Sequence, residues 1–192
     1  MVRPVDWRRL WCRLSPKALA RDRSAVSAVE FALILPVMLT LYIGGIQVSE
    51  ALSINRKVSH VTSTLADLVT QSKSITDTNM ANIFNASASV MAPYSDTTLQ
   101  ITVSEIYIDA NGVAKVQWSN ARNATAYAKN TVVQLPAAVA MANSYVVAAE
   151  AHYPFTPGIG YVLTGTFNLS SSYYLRPRLT DCINRPSTFT CP

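Results

Sequence analysis

A stretch without charge constrains this chain more than any other feature. From Phe31 to Ser49 it reads FALILPVMLTLYIGGIQVS, 19 residues with no Asp, Glu, Lys or Arg. A helix needs about 20 apolar residues to cross a hydrocarbon core. Ala25, Val26, Ala28 and Val29 extend the apolar character upstream, so the predicted span covers 25–48. The segment before it is basic: Arg3, Arg8, Arg9, Arg13, Lys17, Arg21 and Arg23 stand against Asp6 and Asp22. That excess equals the formal net charge of the whole chain, +5, so everything after the span is balanced. A basic flank beside a hydrophobic helix fixes its orientation, with the flank on the cytoplasmic side. Anionic headgroups add to the attraction. The pI of about 9.2 therefore does not point to nucleic acid, because the outer part carries no basic patch. A cleaved secretory signal is the alternative, and it fits poorly. Signal cores run to roughly 7–15 apolar residues, and Ser49-Glu50-Ala51 is a weak small-x-small cleavage site.

Glu30 interrupts the apolar character. A carboxylate at the membrane centre costs on the order of 2–3 kcal/mol, and less near the edge. Glu30 stands about 8 Å inside the start of the span at 1.5 Å per residue. Two readings are open. It snorkels to the interface, where the positive end of the helix dipole favours it; or it pairs with a cation while the helix packs on other helices. Pro36 removes a backbone donor and frees the carbonyl of Ala32, a helix break that membranes tolerate. Gly44 and Gly45 allow close helix contact.

The run Arg21-Asp22-Arg23-Ser24-Ala25-Val26-Ser27-Ala28-Val29-Glu30-Phe31-Ala32, continuing to Pro36, resembles the TadE-like proteins of the Tad (Flp) pilus machinery. The features shared are a basic start, a small-residue stretch, Ala-Val-Glu-Phe-Ala, an aliphatic run and a Pro. The ending Tyr173-Tyr174-Leu175-Arg176-Pro177-Arg178 and the following Cys pair are a weaker likeness. The resemblance implies a pseudopilin or minor pilin that takes part in assembling an adhesive type IV-like pilus. It would be a single-pass protein of the bacterial inner membrane, with residues 1–24 cytoplasmic and 49–192 a periplasmic α+β domain ending in a disulfide loop. Incorporation into the extracellular pilus would also fit. Implied partners are the membrane, other pilus subunits and pseudopilins, the inner-membrane platform and a prepilin peptidase. Such peptidases cut five residues before a Glu, here between Ala25 and Val26. The residue before the cut is usually Gly, and this chain departs from that with Ala25. Cleavage would leave an ammonium at Val26, four residues from Glu30 and on the same helical face.

Beyond the span, Val48, Ala51, Leu52, Val58, Val61, Leu65, Leu68 and Val69 recur at spacings of three and four, which predicts an amphipathic helix to about Ser72. The architecture expected is one long helix, its first half in the membrane and its second half packed on the outer domain. A second helix is expected over Asp77–Met91, with Met80, Ile83, Phe84 and Val90 inward and Pro93 closing it. Leu99–Ile108 alternates as a strand, and Asp109-Ala110-Asn111-Gly112 turns it into Val113–Trp118 as a hairpin. Ser144–Tyr153 and Phe167–Leu175 read as two further strands. Ala121–Ala142 is ambiguous, and Pro136 excludes a long regular helix through it. The fold class is α+β, a helix layer on a small antiparallel sheet.

Cys182 and Cys191 lie beyond the span and are expected to form a disulfide in an oxidising compartment. Cys12, on the basic side, is expected to be a free thiol. The Cys spacing matches no zinc motif. No phosphate loop, nucleophile elbow or His-Glu metal motif is present, and His60 and His152 read as structural or solvent-exposed. The chain is therefore expected not to be an enzyme, with no metal, cofactor, nucleic acid or small-molecule ligand. A structural and interaction protein is the leading reading. A membrane-tethered periplasmic binding module unrelated to pili is the alternative.

Overall fold

The computed structural model describes residues 23–158 and 164–192, with side chains described from residue 26 onward. Helix α1 runs from Arg23 to Thr70, 48 residues without interruption. Pro36 does not end it. The missing N–H removes one rung of the ladder, and the turns on either side carry the helix through.

Burial along α1 changes abruptly. Every residue from Val26 to Tyr42 is exposed. Beyond that, Gln47, Ile54, Val58, Val61, Leu65 and Val69 are buried at spacings of mostly three and four. The packed half thus shows the one-sided stripe of a helix on a core. Val48 and Leu52 had been expected on that stripe. They lie outside it and are exposed, because the buried line passes through Gln47, Ala51 and Ile54 instead.

After α1 comes α2, Asp77–Ala88, followed by a short 3-10 turn over Ser89–Met91. The sequence had suggested one continuous helix over this stretch. Thr76 caps α2 by accepting a hydrogen bond from the Asn79 N–H at 3.2 Å. Met80 and Phe84 are buried, and Ile83 and Val90 pack partly against the core. Lys57 of α1 donates to the carbonyls of Ala92 at 2.7 Å and Val90 at 3.4 Å, placing a cation at the negative end of this element.

Four antiparallel strands follow: β1 Gln100–Ile108, β2 Ala114–Arg122, β3 Ser144–Phe155 and β4 Phe167–Leu175. Their order is β2-β1-β3-β4. In the β1–β2 turn, Asp109 Oδ1 accepts from the N–H of Asn111 and of Val113, each at 2.9 Å. Gly112 adopts φ 80°, which favours glycine. Strand β2 continues four residues past the expected end at Trp118, and β3 extends through Pro154 to Phe155.

One sheet face, carrying Ile101, Val103, Trp118, Val147, Ala149 and Ala151, packs under α1 and α2 to form the main core. On the other face, Ile106, Ile108, Ala114, Val116, Val146 and Ala148 gather against Val133 and Leu135. The ambiguous Ala-rich stretch supplies that cover. It runs along β2 through hydrogen bonds between Val116 and Thr131, Asn130 and Val116, and Val133 and Ala114.

Candidate functional site

Two regions have properties that a simple globular fold does not require: the free half of α1, and the C-terminal tail.

The free half is apolar on all sides. Phe31, Leu33, Ile34, Val37, Met38, Leu41 and Tyr42 are each more than half exposed. None of its most apolar 18-residue window is buried, and the helix is long and apolar enough to cross a membrane. Polar side chains in this stretch turn back on the helix. Thr40 Oγ1 donates to the Pro36 carbonyl and Ser49 Oγ to the Gly45 carbonyl, both at 2.8 Å. Hydroxyls satisfied in this way are compatible with hydrocarbon. A Cβ added at Gly45 would meet nothing within 4 Å, so no packing within the chain requires a glycine there.

Glu30 sits on this half, exposed, one helical turn beyond Val26, which is exposed as well. The Ala25–Val26 bond falls within the helical backbone, and the Ala25 side chain lies outside the described residues. Cys12 and the remainder of residues 1–22 also lie outside them.

The tail is a clasp. Cys182 and Cys191 are joined in a disulfide with Cα atoms 6.0 Å apart. Between them, Ile183 and Arg185 are almost wholly buried. The Ile183 N–H donates to Glu105 Oε1 at 2.7 Å, and Trp118 Nε1–H donates to Glu105 Oε2 at 2.7 Å and to the Ile183 carbonyl at 3.2 Å. Burial pushes the Glu105 carboxyl up to about 7, against these two hydrogen bonds, which favour the charged form. Tyr145 is also raised, by its own burial first and then by Glu105.

Arg185 reaches three elements. It donates through Nε to Asn120 Oδ1 on β2 at 2.8 Å and through Nη1 to the Ile75 carbonyl at 2.9 Å, and it pairs through Nη2 with Asp77 at 2.6 Å. Asn184 adds backbone bonds to Lys73 and Ile75. The tail therefore ties the α1–α2 connection to the sheet. Beyond the cysteine pair, the sequence shows nothing of the partners of Arg185 and Asn184.

Clefts also occur among the described residues. One of about 330 Å³ lies between α1 and β4, lined by Ser63, Thr64, Asp67, Leu68, Tyr173, Leu175 and Arg178. Arg178 closes its end by pairing with Asp67 at 2.7 Å. A second, of about 280 Å³, is lined by residues that include Tyr145, Arg176 and Asp181. A third, on the other sheet face, is only about 20 Å³. It holds the Tyr127 hydroxyl, which donates to Glu150 Oε2 at 3.0 Å. Burial and then the Glu150 carboxylate push Tyr127 above its ordinary value. His152 is exposed and does not line this pocket; His60 is exposed on α1. Among the described residues no group of three His, Cys, Asp or Glu is placed to hold a metal ion.

The exposed helix, rather than a cleft, is thus the element whose chemistry demands something outside the chain. Its length and apolar surface are compatible with a membrane anchor. Residues 25–67 match the family model for TadE-like protein, the family that the Ala-Val-Glu-Phe-Ala motif resembles. The matched range covers nearly all of α1 and none of the sheet. The TadE-like family is one of Tad pilus-associated proteins, and the match extends over fewer than half of this chain's residues. A search of curated proteins finds no match, and a search of solved structures finds none.

Proposed function

We propose that this chain is a minor pilin or pseudopilin anchored in the bacterial inner membrane, acting in assembly of a Tad (Flp) pilus. The observation that carries the reading is the fully exposed apolar half of α1, bearing one carboxylate inside the family-matched segment. Lipid and neighbouring apolar helices both give that surface cover. The basic segment 1–24 stays in the cytoplasm by the positive-inside rule, residues 25–48 span the membrane, and 49–192 form the periplasmic domain. Pro36 loosens the helix locally and Gly45 admits a close neighbour. Partners are the pilus subunits, a second pseudopilin, the membrane platform and a prepilin peptidase.

Glu30 is the assembly residue in this reading. Cleavage at Ala25–Val26 would create an ammonium one turn away on the same face. The carboxylate then neutralises its own amine or that of an adjoining subunit, which lowers the cost of keeping it in the membrane. The test is Glu30→Ala, scored for membrane insertion and for piliation separately. Normal insertion with lost piliation is expected. Normal piliation would refute the role. N-terminal sequencing of the membrane-extracted protein checks the processing step, where a chain beginning at Val26 is expected and one beginning at Met1 would exclude it.

A further inference from the structure

The hairpin formed by β3 and β4 ends close to where α1 leaves its exposed apolar half. At the far end, Arg178 reaches α1, its N–H donating to the Thr70 carbonyl and its guanidinium pairing with Asp67. Five residues earlier, Tyr173 shares a cleft with Ser63 and Thr64. Strand β4 therefore runs in the same sense as α1, and its first residue, Phe167, lies toward the membrane-proximal end. Six residues of strand from Tyr173 to Phe167 cover about 20 Å at roughly 3.3 Å each. At 1.5 Å per helical residue, that places Phe167 level with about residue 51 of α1, or about residue 54 if strand and helix cross at ~40°.

The charge-free run of α1 ends at Ser49, with Glu50 next. Phe167 thus stands roughly 3–7 Å above the hydrocarbon edge, against an interfacial layer about 5–7 Å thick. Thr156 and Thr166, whose hydroxyls are 3.0 Å apart, close the ladder one step nearer the membrane. The chemistry of the hairpin suits a lipid surface. No Asp, Glu, Lys or Arg occurs from Ala151 to Leu175, in a chain with 14% charged residues. Phe167 is 41% exposed at this end, and Leu52 is 54% exposed at the same level of α1.

We propose that the membrane-proximal end of the β3–β4 hairpin, at Phe167, rests in the interfacial layer of the bilayer from which α1 emerges. The inference rests on the spanning role proposed above. Burying Phe167 and Leu52 there removes apolar surface from water. The consequence is a second contact with the membrane. One helix leaves the outer domain free to lean, whereas a helix and a hairpin end fix its tilt.

The test is a depth measurement on the full chain in bilayers of phosphatidylethanolamine and phosphatidylglycerol. Cys12→Ser provides the background, with the Cys182–Cys191 disulfide kept. Nitroxides are attached one at a time to Leu39→Cys, Phe167→Cys and Asn111→Cys, and oxygen and nickel-chelate accessibilities are compared. Asn111, in the turn at the opposite end of the sheet, should behave as in water, and Leu39 as in hydrocarbon. The label at 167 should fall between them, with nickel-chelate accessibility several-fold below that at 111. Thr166→Cys provides a second label if the Phe167 variant does not fold. Labels at 166 and 167 as accessible as 111, with 39 deep, would overturn the hairpin contact and leave the span intact. A water-exposed label at 39 would overturn the span and the hairpin contact together.

Discussion

Replacing Glu105 with Gln should change how stability depends on pH. The carboxyl is 0% exposed, and burial raises it from 4.5 to about 7. The folded protein therefore binds a proton that the unfolded chain has released, throughout the interval between those two values. Stability from this group is fully present below about 4.5 and is lost as pH rises through about 7. At about 1.4 kcal/mol per unit of pKa difference, the loss approaches about 3 kcal/mol. Glu105→Gln keeps the shape and an acceptor oxygen but cannot ionise. It gives up one of the two acceptors offered to the Ile183 N–H and Trp118 Nε1–H, at a cost of about 1–2 kcal/mol. At pH 5 the variant should therefore be no more stable than the parent, and at pH 8 it should match or exceed it. The assay is urea unfolding of the full chain in detergent micelles at a series of pH values, followed by near-ultraviolet circular dichroism. The difference between the two curves isolates Glu105 from the other titrating groups. A difference that stays constant from pH 5 to pH 8 would refute the argument, and so would one of opposite sign.

The clasp makes two further predictions in the same assay. Arg185→Met should destabilise the outer domain by about 2–4 kcal/mol, because the Ile75 carbonyl and Asn120 Oδ1 lose a buried donor. The ion pair itself adds little, since the Asp77 side chain is 75% exposed and water can replace the guanidinium; Asp77→Asn should accordingly cost much less. Replacing Cys182 and Cys191 together by Ala should cost about 2–3 kcal/mol in the chain-entropy account. Reduction of the parent protein should lower its unfolding midpoint and leave that of the double variant unchanged.

The sequence made the helices and strands readable because their patterns are local. Leu99–Ile108 alternates, the Asp-Ala-Asn-Gly turn marks a hairpin, and α1 repeats at three and four. The inward register next to the exposed half of α1 was not readable. Val48 and Leu52 are as apolar as the residues that pack, and only the position of the sheet selects Ala51 and Ile54 instead. The second core was hidden for a related reason. Val133 and Leu135 lie in an Ala-rich stretch with no strong period of its own, and they gain order from β2. Glu105 did leave a signal. It shares the parity of Ile101 and Val103, so an alternating strand places its carboxylate on the core face. Arg185 left none: a lone Arg in a Pro-containing tail reads as a solvated charge until its three partners are assembled from distant parts of the chain.

The free half of α1 shows why the motif is more specific than the span that contains it. Lipid surrounds a spanning helix on every side, so hydrophobicity there needs no period, and many sequences satisfy it. Glu30 is different, because a carboxylate in hydrocarbon is costly unless it reaches the interface or meets a cation. In this chain α1 continues without a break from that carboxylate to Thr70, where the tail and sheet hold it. In the spanning arrangement proposed above, a partner of Glu30 would thereby be held in fixed rotational register with the outer domain, about 36 Å further along the axis to residue 54 at 1.5 Å per residue. A flexible linker between anchor and domain would lose that coupling. A passive tether has no need of such a helix, whereas a subunit that must present its outer domain in one orientation to its neighbours does.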